Sequence, residues 1–339
     1  MNCGYLANFG NQLVDTNGQV TKSIHFKDVL IRVFEDVQLY NSYNANFYEI
    51  YKFTRSNHEH KFVSLGRKGL LIFFICALFF VRPQQKIWVV AVGGWMPSFL
   101  RKVYVRCVRN FCNFDVVFLV ETFGLRDELI NLGEVSHYYP NVRATSSFDL
   151  DNLESVYSHD PSFRFVFLSR MIPEKGAICA INAVRYLHKH GIPGTLDIYG
   201  SGDNEFVAHI NDIIANDPYI SFLGPVDHRD VGKVFLNYDA LILPTFYPGE
   251  CMPGVVVEAL ESGVISITSD HKYLPEIIEH LGYGFALPLD SFHVKFLHLI
   301  LNGKITKRSL ELHSEMHKRF VDCFSLEAGV SKLRDILIA

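Results

Sequence analysis

Short apolar runs alternate with helix-length amphipathic segments through much of the chain, and the alternation is clearest from Arg164 onward. There "RFVFLSR" predicts a strand, "GAICAINAVRYLHKHG" a helix closed by glycine, "GTLDIYGSG" a strand, "DNEFVAHINDIIAND" a helix and "ISFLG" a strand. "RDVGKVFLNY", "DALILPT", "PGVVVEALESG" and "VISIT" continue the order helix, strand, helix, strand. Apolar strands separated by helices predict a parallel sheet covered on both faces. Upstream, "KIWVVAVGGW" from Lys86 reads as a buried strand ending at Gly93 and Gly94. The amphipathic "MPSFLRKVYVRCVRNF" and the strand "DVVFLV", Asp115 to Val120, follow it.

The polar stretch "HYYPNVRATSSFDLDNLESVYSHDPSFR" separates the two series, and the tail from Ser291 is mostly helical. The pattern predicts an α/β chain of two doubly wound, Rossmann-like domains, residues 1–145 and 146–310. A helical tail over 311–339 is expected to pack back towards the first domain. In open α/β sheets ligands bind beyond the carboxyl ends of the strands, so a cleft between the domains is expected to hold the ligand. The most apolar run, "LLIFFICALFFV" from Leu70 to Val81, has 12 residues. A bilayer span needs roughly 20, so the run predicts a buried helix. It also lies too far from Met1 for a secretory signal.

Length agrees with two domains, since 339 residues exceed what one core usually holds. With 49% hydrophobic residues the chain is too apolar for disorder. Its net charge of −4 gives no chain-wide basic field, which argues against a nucleic-acid binder. Seven scattered cysteines without a Cys-x-x-Cys pair suit a reducing cytosol. The histidines of "HEH" (His58 to His60) and "HKH" (His188 to His190) lack metal-site spacing and are expected at the surface.

Several stretches carry residues suited to chemistry. In "FLSRMIPEKG", Arg170 and Lys175 follow a strand and precede a helix, an arrangement that suits a phosphate or diphosphate; alternatively both are solvated loop charges. In "PGECMPGVVVEALESG", Pro253 suits the first helical turn and Gly263 the stop. Glu250 then sits just outside the helix N-terminus, and turn chemistry alone gives no reason for a glutamate there. Free N–H groups near Met252, Gly254 and Val255 would face the same space. Glu258 lies on the helix with Glu261 on the same face, so a solvated face is an equal reading.

The segment "GNQLVDTNGQVTKS" offers Gly10 and Gly18, which allow close approach of backbone to a ligand, with Lys22 after them. "YGSGDNEF" has Gly200 and Gly202 but not the third glycine of a dinucleotide fingerprint. Asp149 and Asp151 form an Asp-x-Asp with no preceding strand, a weak basis for metal. On the helix "SFLRKVYVRCVRNF", Arg101, Lys102, Arg106 and Arg109 fall within an arc of about 140°, with Leu100, Val103, Tyr104, Cys107, Val108 and Phe111 opposite. That basic face suits an anionic membrane surface or is simply the wet side of the helix.

Together these residues resemble the retaining glycosyltransferases of the GT-B fold, in particular the large bacterial family that builds surface polysaccharides from nucleotide sugars. Glu250 and Glu258, inside "LPTFYPGECMPGVVVEALESGVISITSD", resemble its Glu-x7-Glu signature. "LSRMIPEKG" resembles its Arg and Lys phosphate clamp, and "FLGPVDHRDVGKVFLNYDALILPT" its base-binding loop, which includes Val226. "NGQVTKS", "VGGW" and "YYPN" are similar to weaker features of the first domain.

The resemblance implies that Arg170 and Lys175 bind the donor diphosphate and stabilise the leaving nucleoside diphosphate. It implies that Glu250 contacts donor-sugar hydroxyls with backbone help from Met252, Pro253 and Gly254, and that Glu258 holds the ribose. Gly10 and Gly18 would let a first-domain loop approach the diphosphate. It implies retention of configuration without metal or other cofactor, a UDP- or GDP-hexose donor, and a saccharide or polyprenyl-linked acceptor. The enzyme would be cytoplasmic, with peripheral contact at the inner face of the plasma membrane through the basic helix. Many relatives carry a donor-contacting His after a first-domain strand, where this chain has Gly93, Gly94 and Trp95. The competing readings are a phosphorylase or nucleotide-sugar epimerase of the same architecture, and a catalytically silent GT-B subunit that partners another transferase.

Overall fold

The computed structural model describes residues 2–10, 18–43, 46–83, 85–91, 93–145 and 162–338. Asp149 and Asp151, and most of the Gly- and Asn-rich segment after Gly10, lie outside the described residues. The chain forms two compact units, Met1–Ala144 with Cys323–Ala339, and Thr145–Asp322.

Unit 1 holds a six-stranded parallel sheet in the order β2-β1-β3-β4-β5-β6. The strands are β1 (Asn2–Ala7), β2 (Asp36–Asn41), β3 (His60–Ser64), β4 (Lys86–Val90), β5 (Asp115–Val120) and β6 (Val135–Tyr138). Helices α1 (Gly18–Val33), α2 (Phe47–Arg55), α3 (Arg67–Phe80), α4 (Met96–Leu100), α5 (Val103–Asn110) and α6 (Phe123–Ile130) connect them. The last helix of the chain, α14 (Leu326–Ile338), packs on α1. Its Leu326, Leu333 and Ile336 share a buried cluster with Tyr5, Phe26 and Trp88. Each large side chain removed from water there stabilises the unit by about 1.5–3 kcal/mol.

Unit 2 repeats the architecture in the order β12-β11-β10-β7-β8-β9, again all parallel. Its strands are β7 (Phe163–Leu168), β8 (Gly194–Tyr199), β9 (Ile220–Gly224), β10 (Ala240–Leu243), β11 (Ile265–Ser269) and β12 (Gly284–Leu287). Helices α7 (Ala177–Lys189), α8 (Asn204–Ile214), α9 (Val231–Phe235), α10 (Gly254–Glu261), α11 (Leu274–Leu281), α12 (Phe292–Leu301) and α13 (Leu310–Phe324) complete it. Central strands β10 and β11 are buried throughout; β10 reads as an unbroken apolar run, whereas β11 also buries Ser266, Thr268 and Ser269. Asp203 caps α8, accepting from the N–H groups of Glu205 and Phe206.

Four expectations change. His58 is buried, with Nε2 3.0 Å from the Tyr40 hydroxyl, because Gly4 on β1 leaves room for its ring. Glu261 is buried, so α10 does not present a solvated Glu258 and Glu261 face. The apolar run on α3 is buried on one side only: Phe73, Phe74 and Ala77 face in, while Phe79 is 75% exposed.

The fourth concerns the basic helix, which is two helices. Lys102 takes extended backbone (φ −67°, ψ 132°) between α4 and α5, and this break resets the helical phase. Val105 is the one buried residue of α5, whereas Val103, Tyr104, Cys107 and Phe111, expected to face the core, are exposed. Arg109 leaves the exposed basic group: it pairs with Glu134 at 2.7 Å and lies 5.5 Å over the Phe74 ring. Among the described residues no helix is long and apolar enough to cross a membrane.

Candidate functional site

In unit 2, β7 and β10 are hydrogen-bonded neighbours, so the loops that leave their carboxyl ends meet. The loop after β7 carries Arg170, which is exposed, and then a tight 3-10 turn, Pro173–Lys175. Gly176 follows with φ 85°, and a Cβ there would lie 2.2 Å from the Pro244 carbonyl oxygen. Only glycine permits that left-handed, close approach. Phe246 N–H donates to the Glu174 carbonyl at 2.8 Å and fastens the two loops together.

This brings Lys175 to Glu250, 75 positions away, with Nζ 2.5 Å from Oε2. Lys175 is 8% exposed and Glu250 7%. The Thr245 hydroxyl donates to the same carboxylate oxygen at 2.9 Å and accepts from Tyr247 N–H at 3.2 Å. The Tyr247 ring centroid lies 5.0 Å from both Lys175 Nζ and the Arg170 guanidinium carbon. Both cations gain from the quadrupole of this one ring. The loop after β11 supports the site from behind: Ser269 donates to the Thr245 carbonyl, and His271 Nε2 is 3.1 Å from the Tyr247 carbonyl oxygen.

Pro253 is the N-cap of α10 rather than its first helical residue. The N–H groups of Gly254 and Val255 open the helix, where no carbonyl lies one turn back to receive them. Cys251, Met252 and Pro253 are buried beside Glu250 in the turn that leads into α10. Glu258 lies half-buried one turn into α10, and Gly263 ends the segment with φ 68°.

The glycines of "YGSG" have a role other than a dinucleotide fingerprint. A Cβ on Gly200 would lie 1.9 Å from the Ser169 carbonyl oxygen, so the loop after β8 rests directly on the loop after β7. Gly200 N–H in turn donates to the Gly224 carbonyl at 2.9 Å at the end of β9, just before half-buried Val226. The unit 2 residues expected at the site therefore all follow the carboxyl ends of β7, β9 or β10 or lie on α10.

In unit 1, Gly10 (φ 73°) is held in a local turn: its N–H donates to Asn8 at 2.9 Å and its carbonyl accepts from Asn41 at 3.1 Å. Gly18 opens α1 with open space around its Cβ position. Lys22 pairs with Glu121 at 2.8 Å at the end of β5. Among the described residues no group of three or more His, Cys, Asp or Glu side chains is placed to hold a metal ion.

Residues 162–302, which contain the Lys175 and Glu250 pair, match the family described as Glycosyl transferases group 1. The chain carries a glycosyltransferase group 1 domain. It is 24% identical over 190 residues to the GtfA subunit of the UDP-N-acetylglucosamine–peptide N-acetylglucosaminyltransferase of Streptococcus pneumoniae, covering 55% of this chain and 37% of that one. It is 28% identical over 137 residues to the amylovoran biosynthesis glycosyltransferase AmsK of Erwinia amylovora, covering 38% and 33%. The chain thus spans about a third of the length of the curated relatives it matches. Among solved structures, HepE of Anabaena in complex with UDP and glucose superposes with a TM-score of 0.72 at 14% identity, over 99% of both chains. Sucrose-phosphate synthase of Thermosynechococcus elongatus gives 0.70 at 12% identity, over 99% and 98%. These neighbours establish the fold as GT-B, with two Rossmann-like domains.

In the glycosyltransferase domain the pair of loops offers a buried cation, an exposed cation, a buried carboxylate and a helix N-terminus. That combination can take an anionic group on Arg170, Lys175 and the α10 N–H groups, and hydroxyls on Glu250. Thr245 and Tyr247, which hold the Glu250 carboxylate and lie beside the two cations, were not read from the sequence. The signal for Thr245 was its place directly after β10, where a hydroxyl is fully buried.

Proposed function

We propose that the chain is a retaining, metal-independent glycosyltransferase that moves a hexose from a UDP- or GDP-sugar to a saccharide or polyprenyl-linked acceptor in surface polysaccharide synthesis. The observation that carries this reading is the buried Lys175 and Glu250 pair at the carboxyl ends of β7 and β10. Without ligand the two charges neutralise each other. A donor diphosphate would take over Lys175 together with Arg170, and Glu250 would turn to the hydroxyls of the donor sugar.

As the glycosidic bond breaks, negative charge grows on the departing nucleoside diphosphate. Cations and N–H groups already fixed in a water-poor site stabilise that charge without reorganising, an effect worth several kcal/mol. The sugar acquires oxocarbenium character, and attack from the side of the leaving group retains its configuration. Glu258 would hold the ribose and Val226 would face the base. The reading is supported by the complexes of similar structures, HepE with UDP and glucose and GtfA with UDP and GlcNAc. A lipid-linked acceptor would require the enzyme at a membrane, a cytoplasmic protein in peripheral contact with the inner leaflet.

The test is a panel of UDP- and GDP-hexoses followed by NMR for slow donor hydrolysis. The reading expects one donor to be consumed, with the freed sugar first appearing in the donor's own anomeric configuration. Release of the opposite anomer would overturn retention, and inertness towards every donor would overturn the activity.

A further inference from the structure

From His60 to Phe114 the chain has no Asp or Glu, yet it carries nine Lys and Arg residues, in a protein of net charge −4. This segment runs from β3 to the start of β5 and includes α3, α4 and α5. Helix α2 packs on α3, and α3 on α5. Their outer sides are apolar where a water-facing helix would be polar. Phe47 stacks on Tyr51 at 6.4 Å, Tyr51 meets Phe80 edge-on at 5.2 Å, and Phe80 meets Phe79 at 6.3 Å. Phe79 is 75% exposed, and on α5 Val103 and Phe111 are 76% and 74% exposed. Exposed apolar residues are ordinarily scattered, and a run of touching rings beside a second apolar helix is a patch.

Exposed cations border the patch. Arg101, Lys102 and Arg106 stand on the α4–α5 side, and Arg55, over both Tyr51 and Phe80, stands on the α2 side. Large apolar side chains ringed by Lys and Arg complement an anionic lipid surface, and the single acid on α2, α3 and α5, Glu49, is paired with Lys52 at 3.4 Å: the rings enter the headgroup layer and the cations meet phosphates. The segment does not span a bilayer, because α3 has 14 residues and reaches only about 21 Å.

We propose that this α2–α3–α5 face docks on an anionic bilayer, with Phe79, Val103 and Phe111 inserted and Arg101, Lys102 and Arg106 on lipid phosphates. This deepens the peripheral contact expected of the basic helix and changes its chemistry. The apolar side of α5 enters the lipid instead of the protein core, and Arg109, held by Glu134, is no part of it. The inference rests on unit 1 alone and is independent of the donor reading.

The full chain is sedimented with vesicles of phosphatidylcholine alone or mixed with phosphatidylglycerol. The protein pellets with the mixed vesicles, and high salt weakens binding without abolishing it, because apolar insertion is not screened. Phe79→Ser/Val103→Ser/Phe111→Ser lowers partitioning roughly tenfold or more, and Arg101→Glu/Lys102→Glu/Arg106→Glu does the same at low salt. Donor hydrolysis stays at the wild-type level in both variants, which separates docking from the chemistry. Wild-type protein left in the supernatant with anionic vesicles would overturn the proposal without any variant having to fold. So would binding that salt removes entirely. A dimer that the serine variant splits, in protein that ignores vesicles, would assign the patch to a second copy instead.

Discussion

Lys175 and Glu250 are almost wholly removed from water, so neither charge is tolerable without the other. Removing one partner of a buried pair leaves a stranded charge at a cost of about 3–5 kcal/mol, whereas removing both can be nearly neutral. This separates stability from catalysis. Lys175→Met and Glu250→Gln each lower turnover by at least about tenfold and each lower the thermal midpoint. The double variant Lys175→Met/Glu250→Gln recovers much of the stability and none of the activity. Recovery of turnover in the double variant, measured beside its melting curve, would show that the pair only holds the loops together. Both residues stood out in the sequence as charges at strand ends. Their contact did not, because it spans 75 positions and depends on β7 lying beside β10. Tyr247 was illegible for the same reason: its ring matters through the two cations it faces, and they come from another loop.

At the scale of elements, the approach of the β7 and β10 loops is set by Gly176. Gly176→Ala adds a left-handed strain and a clash with the Pro244 carbonyl, together costing at least about 2 kcal/mol. Turnover falls with it, since the loop that yields carries Lys175. A melt and activity equal to wild type would show that the loops move apart at no cost.

Helix α13 makes a separate prediction. His313 is fully buried, and the Arg308 guanidinium donates to its Nδ1 at 3.2 Å. Burial, then the Arg308 charge, then His317, hold its pKa down at about 4 against 6.5. The unfolded chain therefore binds more protons than the folded one between those values. Stability from this group is complete above about 6.5 and is lost as pH falls towards about 4, on the order of 3 kcal/mol in all. His313→Gln flattens that part of the stability-against-pH curve in denaturant titrations; an unchanged slope would remove His313 as the cause.

The legibility of elements followed burial. Strands β7 and β10 lie inside the sheet and read as apolar runs, β7 broken only by Arg164. Edge strand β2 faces water along most of its length, and β3 carries Lys61, fully buried with its ammonium on the Thr54 carbonyl at 2.9 Å. Neither offered a run to read. The phase of α5 was misjudged because Lys102, an ordinary helix former, interrupts it.

For the whole molecule, the central claim is that the loops at the carboxyl ends of β7 and β10 grip a nucleoside diphosphate. The fold and the family were legible because the glycosyltransferase motifs fall within one continuous segment, residues 162–302. Base and sugar were not, since they depend on loop surfaces such as that around Val226. The decisive measurement is isothermal calorimetry of the full chain with UDP and with GDP, beside Lys175→Met. The account predicts saturable binding of one of the two at a single site, weakened roughly tenfold or more in the variant. No binding of either nucleotide, or equal affinity in wild type and Lys175→Met, would contradict it.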